Sequence, residues 1–238
     1  MAGSRTEILG KIRLALTNPR AEHHHGHESV TSDLKQLFAS VWSRDGLVEK
    51  FQREFEAVSG EFTLCDSEAA ALAALRKIIV SSNAQRVAVS LHAICSWLKV
   101  AERLQTELPN VQFLTEAIDS ENSFERARLK DALEKAPLSV TGCEYLLAES
   151  GTIVNTAGSQ ASRQISLLPS IHVALATPDQ IFPNMADLFL GLQRKHGTNL
   201  PGSALTFITG PSRTADIEKV LIKGVHGPTR LLVVMLSA

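Results

Sequence analysis

The sequence predicts an α/β protein: a layered, mostly parallel sheet preceded by a helical arm. Three observations carry this expectation. From Glu61 onward, short apolar runs alternate with longer stretches of helical periodicity, the rhythm of βαβ units. The runs "RVAVS" and "RLLVVML" are continuously apolar rather than alternating, which fits strands covered on both faces. The helical stretches open on capping residues and close on glycine, so their limits can be read from the text.

The first sixty residues differ from the rest. Ser4 and Glu7 have capping-box spacing, and Ile8, Ile12, Ala15 and Leu16 share one helical face before Asn18-Pro19 ends it. "AEHHHGHES" is a polar link, after which helical spacing resumes through Leu34, Leu37, Phe38 and Val41. A further amphipathic stretch carries Leu47, Phe51, Phe55 and Val58 and stops at Gly60. Residues 1–60 therefore read as a helical arm with a His-rich linker, and 61–238 as the α/β domain. The arm's apolar faces need a cover, and the main body or a second copy in a homo-oligomer serves equally well.

Within the domain "FTLC" reads as a strand, and Asp66 or Ser67 caps a helix to about Val80. "RVAVS" is the next strand, followed by one helix from about Ile94 to Glu107. "VQFLT" follows, then a helix opened by the Asn122/Glu125 pair and running to Lys135, then the short strand "LSVTG". "GTIVNTAGSQASRQISLLPSIHVALAT" has no good helical pattern and reads as two or more strands, with antiparallel pairing left open. "IFPNMADLFLGLQRKHG" is a helix after Pro183, closed by Lys195, His196 and Gly197. "ALTFITG" and "RLLVVML" are the last two strands, with a helix expected between them from about Ser212 to Thr214 onward.

Composition removes several function classes. Net charge is −1 over 238 residues, so no global field draws the chain to nucleic acid or anionic lipid. Aromatics are 5% with a single Tyr, too few for base-stacking platforms. The N-terminus interleaves charges with apolar residues, unlike a secretory signal, and no apolar run approaches a membrane span. Cys65, Cys95 and Cys143 are odd in number and widely spaced, which points to a reducing cytoplasm and to no metal site built from this chain's cysteines. The four His of "EHHHGHE" lie in a flexible polar link, where metal binding is adventitious; His172, inside an apolar strand, reads as a core histidine.

Open α/β sheets bind ligands beyond the carboxyl ends of their strands. Those ends carry Ser90 with His92, Thr115 with Glu116, Thr141-Gly142, Thr177 with Asp179, and Thr209-Gly210. Gly210 allows close approach of backbone to ligand. Ser212 and Thr214 lead toward helix amides that attract a carboxylate or phosphate, with Arg213 as a bidentate grip. The same residues also serve as an ordinary capped strand-to-helix turn. His226, in "GVHGP", is a candidate acid or base beside a turn reading in which its imidazole satisfies nearby backbone. Glu149 in "AESGTIV" is a candidate nucleophile or base, or equally a solvated strand-end carboxylate. Neither GxxxxGK[ST] nor GxGxxG is present.

"AESGTIV", the run from Arg163 to Leu175, "ITGPSRTADIE" and "GVHGP" resemble, in order and spacing, the LUD-domain family. The resemblance implies a fold related to the ribose-phosphate isomerase and CoA-transferase (NagB/RpiA-like) group. It implies a part in oxidising L-lactate to pyruvate, with iron–sulfur clusters on partner proteins and no cofactor in this chain. On that basis Gly151, Thr152 and Arg163 join Gly210, Ser212, Arg213 and Thr214 as expected ligand contacts. The expected role is an accessory or substrate-handling subunit that takes a small carboxylate or phosphate. Two other readings stand beside it: a CoA-transferase or ligase-like enzyme using Glu149, and a small-anion sensor.

Overall fold

The computed structural model describes residues 44–115, 123–157, 163–197, 202, 204–215, 221–223 and 227–237. The expected helices before Val41, the His23–His27 link, the Asn122 cap, Glu116 and His226 lie outside the described residues.

Six parallel strands form the main sheet: β1 (Glu61–Cys65), β2 (Arg86–Val89), β3 (Gln112–Leu114), β4 (Leu138–Gly142), β7 (Ile171–Ala176) and β12 (Arg230–Leu236). Their order is β1-β12-β7-β4-β2-β3. Every strand read from an apolar run is present, and the expected α/β class holds. The central strands explain why their sequences do not alternate. On β12, Leu232, Val234 and Leu236 enter one core while Leu231, Val233 and Met235 enter another. Both faces exclude water, so both registers are apolar.

The first core lies under α2 (Glu68–Ser81), α3 (Ala93–Trp97) and α4 (Val100–Glu107). Ser67 caps α2 as expected, accepting from Ala70 N at 3.3 Å. The single helix expected over 94–107 is instead two. Leu98 and Val100 are both buried, and 3.6 residues per turn place residues two apart on roughly opposite sides of a helix. Lys99 takes a left-handed conformation at φ 49° between them, which turns both side chains inward.

The second core lies between the main sheet, α1 (Arg44–Ala57) and a smaller sheet ordered β8-β5-β6-β9. These strands are β5 (Tyr145–Leu147), β6 (Thr152–Ala157), β8 (Ile181–Phe182) and β9 (Ala204–Thr209). β6 runs antiparallel to both β5 and β9, so the pairing left open by the sequence is antiparallel here. From α1, Phe51 and Phe55 are fully buried and stack at 5.4 Å. Gly151, at φ +58°, lets the β5–β6 turn reach the α1 backbone: a Cβ there would lie 2.3 Å from Phe55 N. The helix α5 (Ser123–Glu134) contributes Leu133 to a satellite cluster with Ile165. The other face of the small sheet is covered by α6 (Met185–His196) through Leu188 and Leu192. Asn184 caps α6, and Arg194, Lys195, His196 and then Gly197 close it as read.

One element differs in kind. Beyond Ser212 there is no helix at Arg213: β10 (Arg213–Ala215) pairs antiparallel with β11 (Leu221–Lys223). The expected helix-terminal amides for an anion at Ser212 to Thr214 are therefore absent. The apolar run that includes Leu221 and Ile222 is too short for its period to decide between helix and strand.

Candidate functional site

At the carboxyl edge of the main sheet, β2 and β4 end side by side, and their chain continuations build a narrow cleft. As it stands it is tight, about 10 Å³, with room for roughly one water molecule. It is lined by His92, Thr141, Gly142 and Glu144, by Asn155, Thr156 and Thr206 from the small sheet, and by Arg163, Ile165 and Ser166 from a 3-10 turn.

The centre is the pair His92–Glu144. His92 caps α3, its Nδ1 accepting from Ile94 N at 3.4 Å, so the ring proton is on Nε2. Nε2 lies 3.7 Å from Glu144 Oε1, within ion-pair range but too long for a hydrogen bond. Burial pushes the His92 pKa down and the nearby Glu144 charge opposes this with a smaller upward pull, so the imidazole is neutral at pH 7. Glu144 is itself fixed: it accepts from Thr156 N at 2.7 Å and from Thr156 Oγ1 at 2.6 Å. These charge-assisted bonds tie the β4–β5 link to β6. Gly142 is the reason the imidazole can lie where it does. A Cβ at that position would stand 2.0 Å from His92 Nδ1, so no other residue fits beneath the ring.

Asn155 also lines the cleft, and its Oδ1 is buried without a hydrogen-bond partner. A buried acceptor left unpaired costs on the order of 1–3 kcal/mol, which a bound donor would recover. The cleft thus gathers an N–H donor, a fixed carboxylate, an unmatched acceptor and, at its mouth, the Arg163 cation. That set offers both donors and acceptors to a polar group.

A second, wider groove of about 440 Å³ shares Ser166 and Thr206 with this cleft. It is lined by Phe207 to Arg213 and by Gly227 and Pro228. Gly210, Ser212 and Arg213 line this groove, beside the first cleft. Arg213 is anchored: its Nη2 donates to Val58 O at 2.8 Å and also to Ser59 Oγ, holding the chain end of α1. Gly210, at φ +74°, leaves room for the same Val58 carbonyl. The backbone of Thr214 sits in β10.

Several other expected residues that are described make structural contacts. Glu149 Oε1 accepts from Met185 N at 2.8 Å, at the start of α6. Thr152 belongs to a row of hydroxyls, Ser150–Thr152–Thr209, linked at 2.7 Å each. That row shows that Thr209 stands in the small sheet rather than at the rim of the main one, where the sequence placed it. Thr177 is used in a capping box with Gln180. His172 is a core histidine, fully buried, with Nε2 2.8 Å from Thr141 Oγ1. Sequence reasoning missed Glu144, Asn155 and Thr156; the one readable signal was a carboxylate two residues beyond a strand ending in glycine.

These features define an α/β protein with a polar cleft at the carboxyl edge of a parallel sheet. The LUD-domain family model matches residues 48–236, and the chain belongs to that family. It is 39% identical over 117 residues to "Lactate utilization protein C" of Halalkalibacterium halodurans, covering 48% of this chain and 50% of that protein. A protein of the same name from Bacillus subtilis is 38% identical over 106 residues, 44% of each chain. The chain thus spans about half the length of these curated relatives. The "Uncharacterized protein YkgG" of Escherichia coli is 33% identical over 98% of both chains. A crystal structure of a DUF162 family protein from Deinococcus radiodurans shares the fold, with a TM-score of 0.58 and 24% identity over 82% of this chain and 99% of that one.

Proposed function

We propose that the His92–Glu144 cleft, widened from the space for about one water that it holds in this structure, binds a small 2-hydroxy or 2-oxo carboxylate, and that the chain handles this ligand within a lactate-utilising system. The observation that carries the reading is the unpaired Asn155 oxygen on a residue that lines the same cleft as the His92–Glu144 pair. A 2-hydroxy acid supplies the missing hydrogen through its hydroxyl, while Arg163 at the mouth meets its carboxylate. His92 Nε2–H then donates to the oxygen at C2, with Glu144 holding the imidazole's charge environment. The shared name of the curated relatives, "Lactate utilization protein C", supports lactate as the ligand.

The electron pair released when lactate becomes pyruvate goes to iron–sulfur proteins that act as partners. This chain's thiols are poorly suited to hold such clusters: burial raises the pKa of Cys65, Cys95 (to about 11) and Cys143, keeping all three protonated. No group of three or more metal-ligating side chains occurs among the described residues. Free, buried thiols also support a cytoplasmic location. Among the described residues no helix is long and apolar enough to cross a membrane.

Calorimetry of the full chain with L-lactate, D-lactate, pyruvate and phosphate tests the ligand. Heat is expected for L-lactate and pyruvate and none for phosphate. Asn155→Leu should weaken lactate roughly tenfold and pyruvate less, because only lactate offers a hydroxyl donor. Absence of heat for both acids, or equal losses in the variant, would remove the reading. Anaerobic co-purification from the host should bring iron with the partners; lactate-driven dye reduction by the iron-free chain alone would count against the subunit role.

A further inference from the structure

The main sheet hides a polar contact behind the cleft. On β4, Leu138 and Val140 face the core under α2, which leaves Ser139 and Thr141 on the opposite face with His172 of β7. His172 is 0% exposed, and its Nε2 lies 2.8 Å from Thr141 Oγ1. Its other nitrogen, Nδ1, has no partner. Thr141 Oγ1 has no second protein partner among the described residues, and Thr141 lines the cleft.

A neutral imidazole carries one N–H and one bare nitrogen, so there are two ways to place the proton. With the proton on Nδ1, an N–H would be buried without an acceptor, and Thr141 would spend its own proton on Nε2. Thr141 would then offer the cleft only lone pairs. With the proton on Nε2, the group left unpaired is a lone pair, and Thr141 receives a hydrogen bond from the ring. Folded proteins almost never bury an unpaired N–H, whereas under-satisfied acceptors are less rare. The second arrangement is therefore favoured, and it leaves the Thr141 proton free to point into the cleft. Full burial keeps the ring neutral, with a pKa lowered to about 4, so protonation does not blur the choice near pH 7.

We propose that His172 is a positioning residue that fixes the Thr141 hydroxyl as a hydrogen-bond donor into the cleft, so that this point selects an acceptor oxygen of the ligand. The inference rests on the cleft reading above for the identity of that ligand. Asn155 and Thr141 then play opposite parts. Asn155 accepts from a hydroxyl, and Thr141 donates to a carboxylate oxygen. A ligand lacking one of these oxygens leaves one of the two unmatched.

The test begins without ligand. Long-range ¹H–¹⁵N spectra of the full chain labelled in histidine, with His172 assigned by its loss in His172→Gln, should show Nε2 as the N–H and Nδ1 as the bare nitrogen. The reverse assignment overturns the proposal. With L-lactate or pyruvate, Thr141→Val should weaken binding roughly tenfold. His172→Leu should do nearly the same, and the double variant no more than Thr141→Val alone. His172→Gln, whose amide restores an N–H donor, should bind within about threefold of the unaltered chain, and circular dichroism checks that each variant is folded. Additive losses in the double variant, or unchanged binding in Thr141→Val, also overturn the proposal. If the unaltered chain binds neither acid, the cleft reading fails, and the ligand-free spectrum still decides where the His172 proton lies.

Discussion

Replacing Gly142 by alanine tests how the site is assembled. The new Cβ would stand 2.0 Å from His92 Nδ1, 2.4 Å from Cγ and 2.6 Å from Cε1. Carbon contacts settle near 3.5 Å, so the ring must retreat by about 1.5 Å. That movement breaks the acceptor bond to Ile94 N and draws Nε2 away from Glu144. Losing the cap costs about 1 kcal/mol, and the forced repacking about as much again, for a total of about 2 kcal/mol. In a domain of this size the melting temperature should fall by roughly 4–8 °C. Removing the imidazole removes the clash. His92→Ala/Gly142→Ala should therefore be more stable than Gly142→Ala, with a coupling of about 2 kcal/mol in urea unfolding. Simple addition of the two single effects would refute the claim that Gly142 exists to seat His92.

Other consequences follow from the same contacts. His172 has its folded pKa lowered to about 4 from an ordinary 6.5, so the native state binds fewer protons than the unfolded chain. The stability it contributes is complete above pH 6.5 and is lost as pH falls toward 4, by about 2 kcal/mol between pH 6.5 and 5. Urea midpoints at pH 7 and pH 5 should diverge for the unaltered chain by more than for His172→Gln. Glu149→Ala, which deprives Met185 N of its acceptor, should lower stability by about 1 kcal/mol while leaving lactate affinity unchanged, as calorimetry and melting measured together would show. Gly151→Ala places a Cβ 2.3 Å from the α1 backbone at a positive φ, and should cost roughly 3 kcal/mol or more, read as a shifted urea midpoint.

How much of this could be read beforehand depends on what each residue answers to. Strands buried on both faces announce themselves, because β7 and β12 have no polar register to hide. Helices with local caps, such as α2 and α6, were legible for the same reason: the signal and its cause lie within a few residues. Lys99 was not, since its left-handed turn is imposed by the joint burial of Leu98 and Val100. The hairpin β10–β11 was misread because a short apolar run can satisfy either period. At the site, His92, Thr141, Gly142 and Arg163 stood out as strand-end or motif residues. Glu144, Asn155 and Thr156 did not, because Glu144 gains its meaning only when β6 crosses beside β5 and delivers Thr156 to it. Glu149 and Thr152 carried suggestive neighbours in sequence, yet their contacts serve α6 and the small sheet.

The most direct measurement is a crystal structure of the full chain grown with L-lactate. The account predicts density between His92 and Asn155, with the hydroxyl at Asn155 Oδ1, a carboxylate oxygen at Thr141 Oγ1 and the carboxylate turned toward Arg163. An empty cleft at saturating lactate, or lactate seated elsewhere on the molecule, would contradict it.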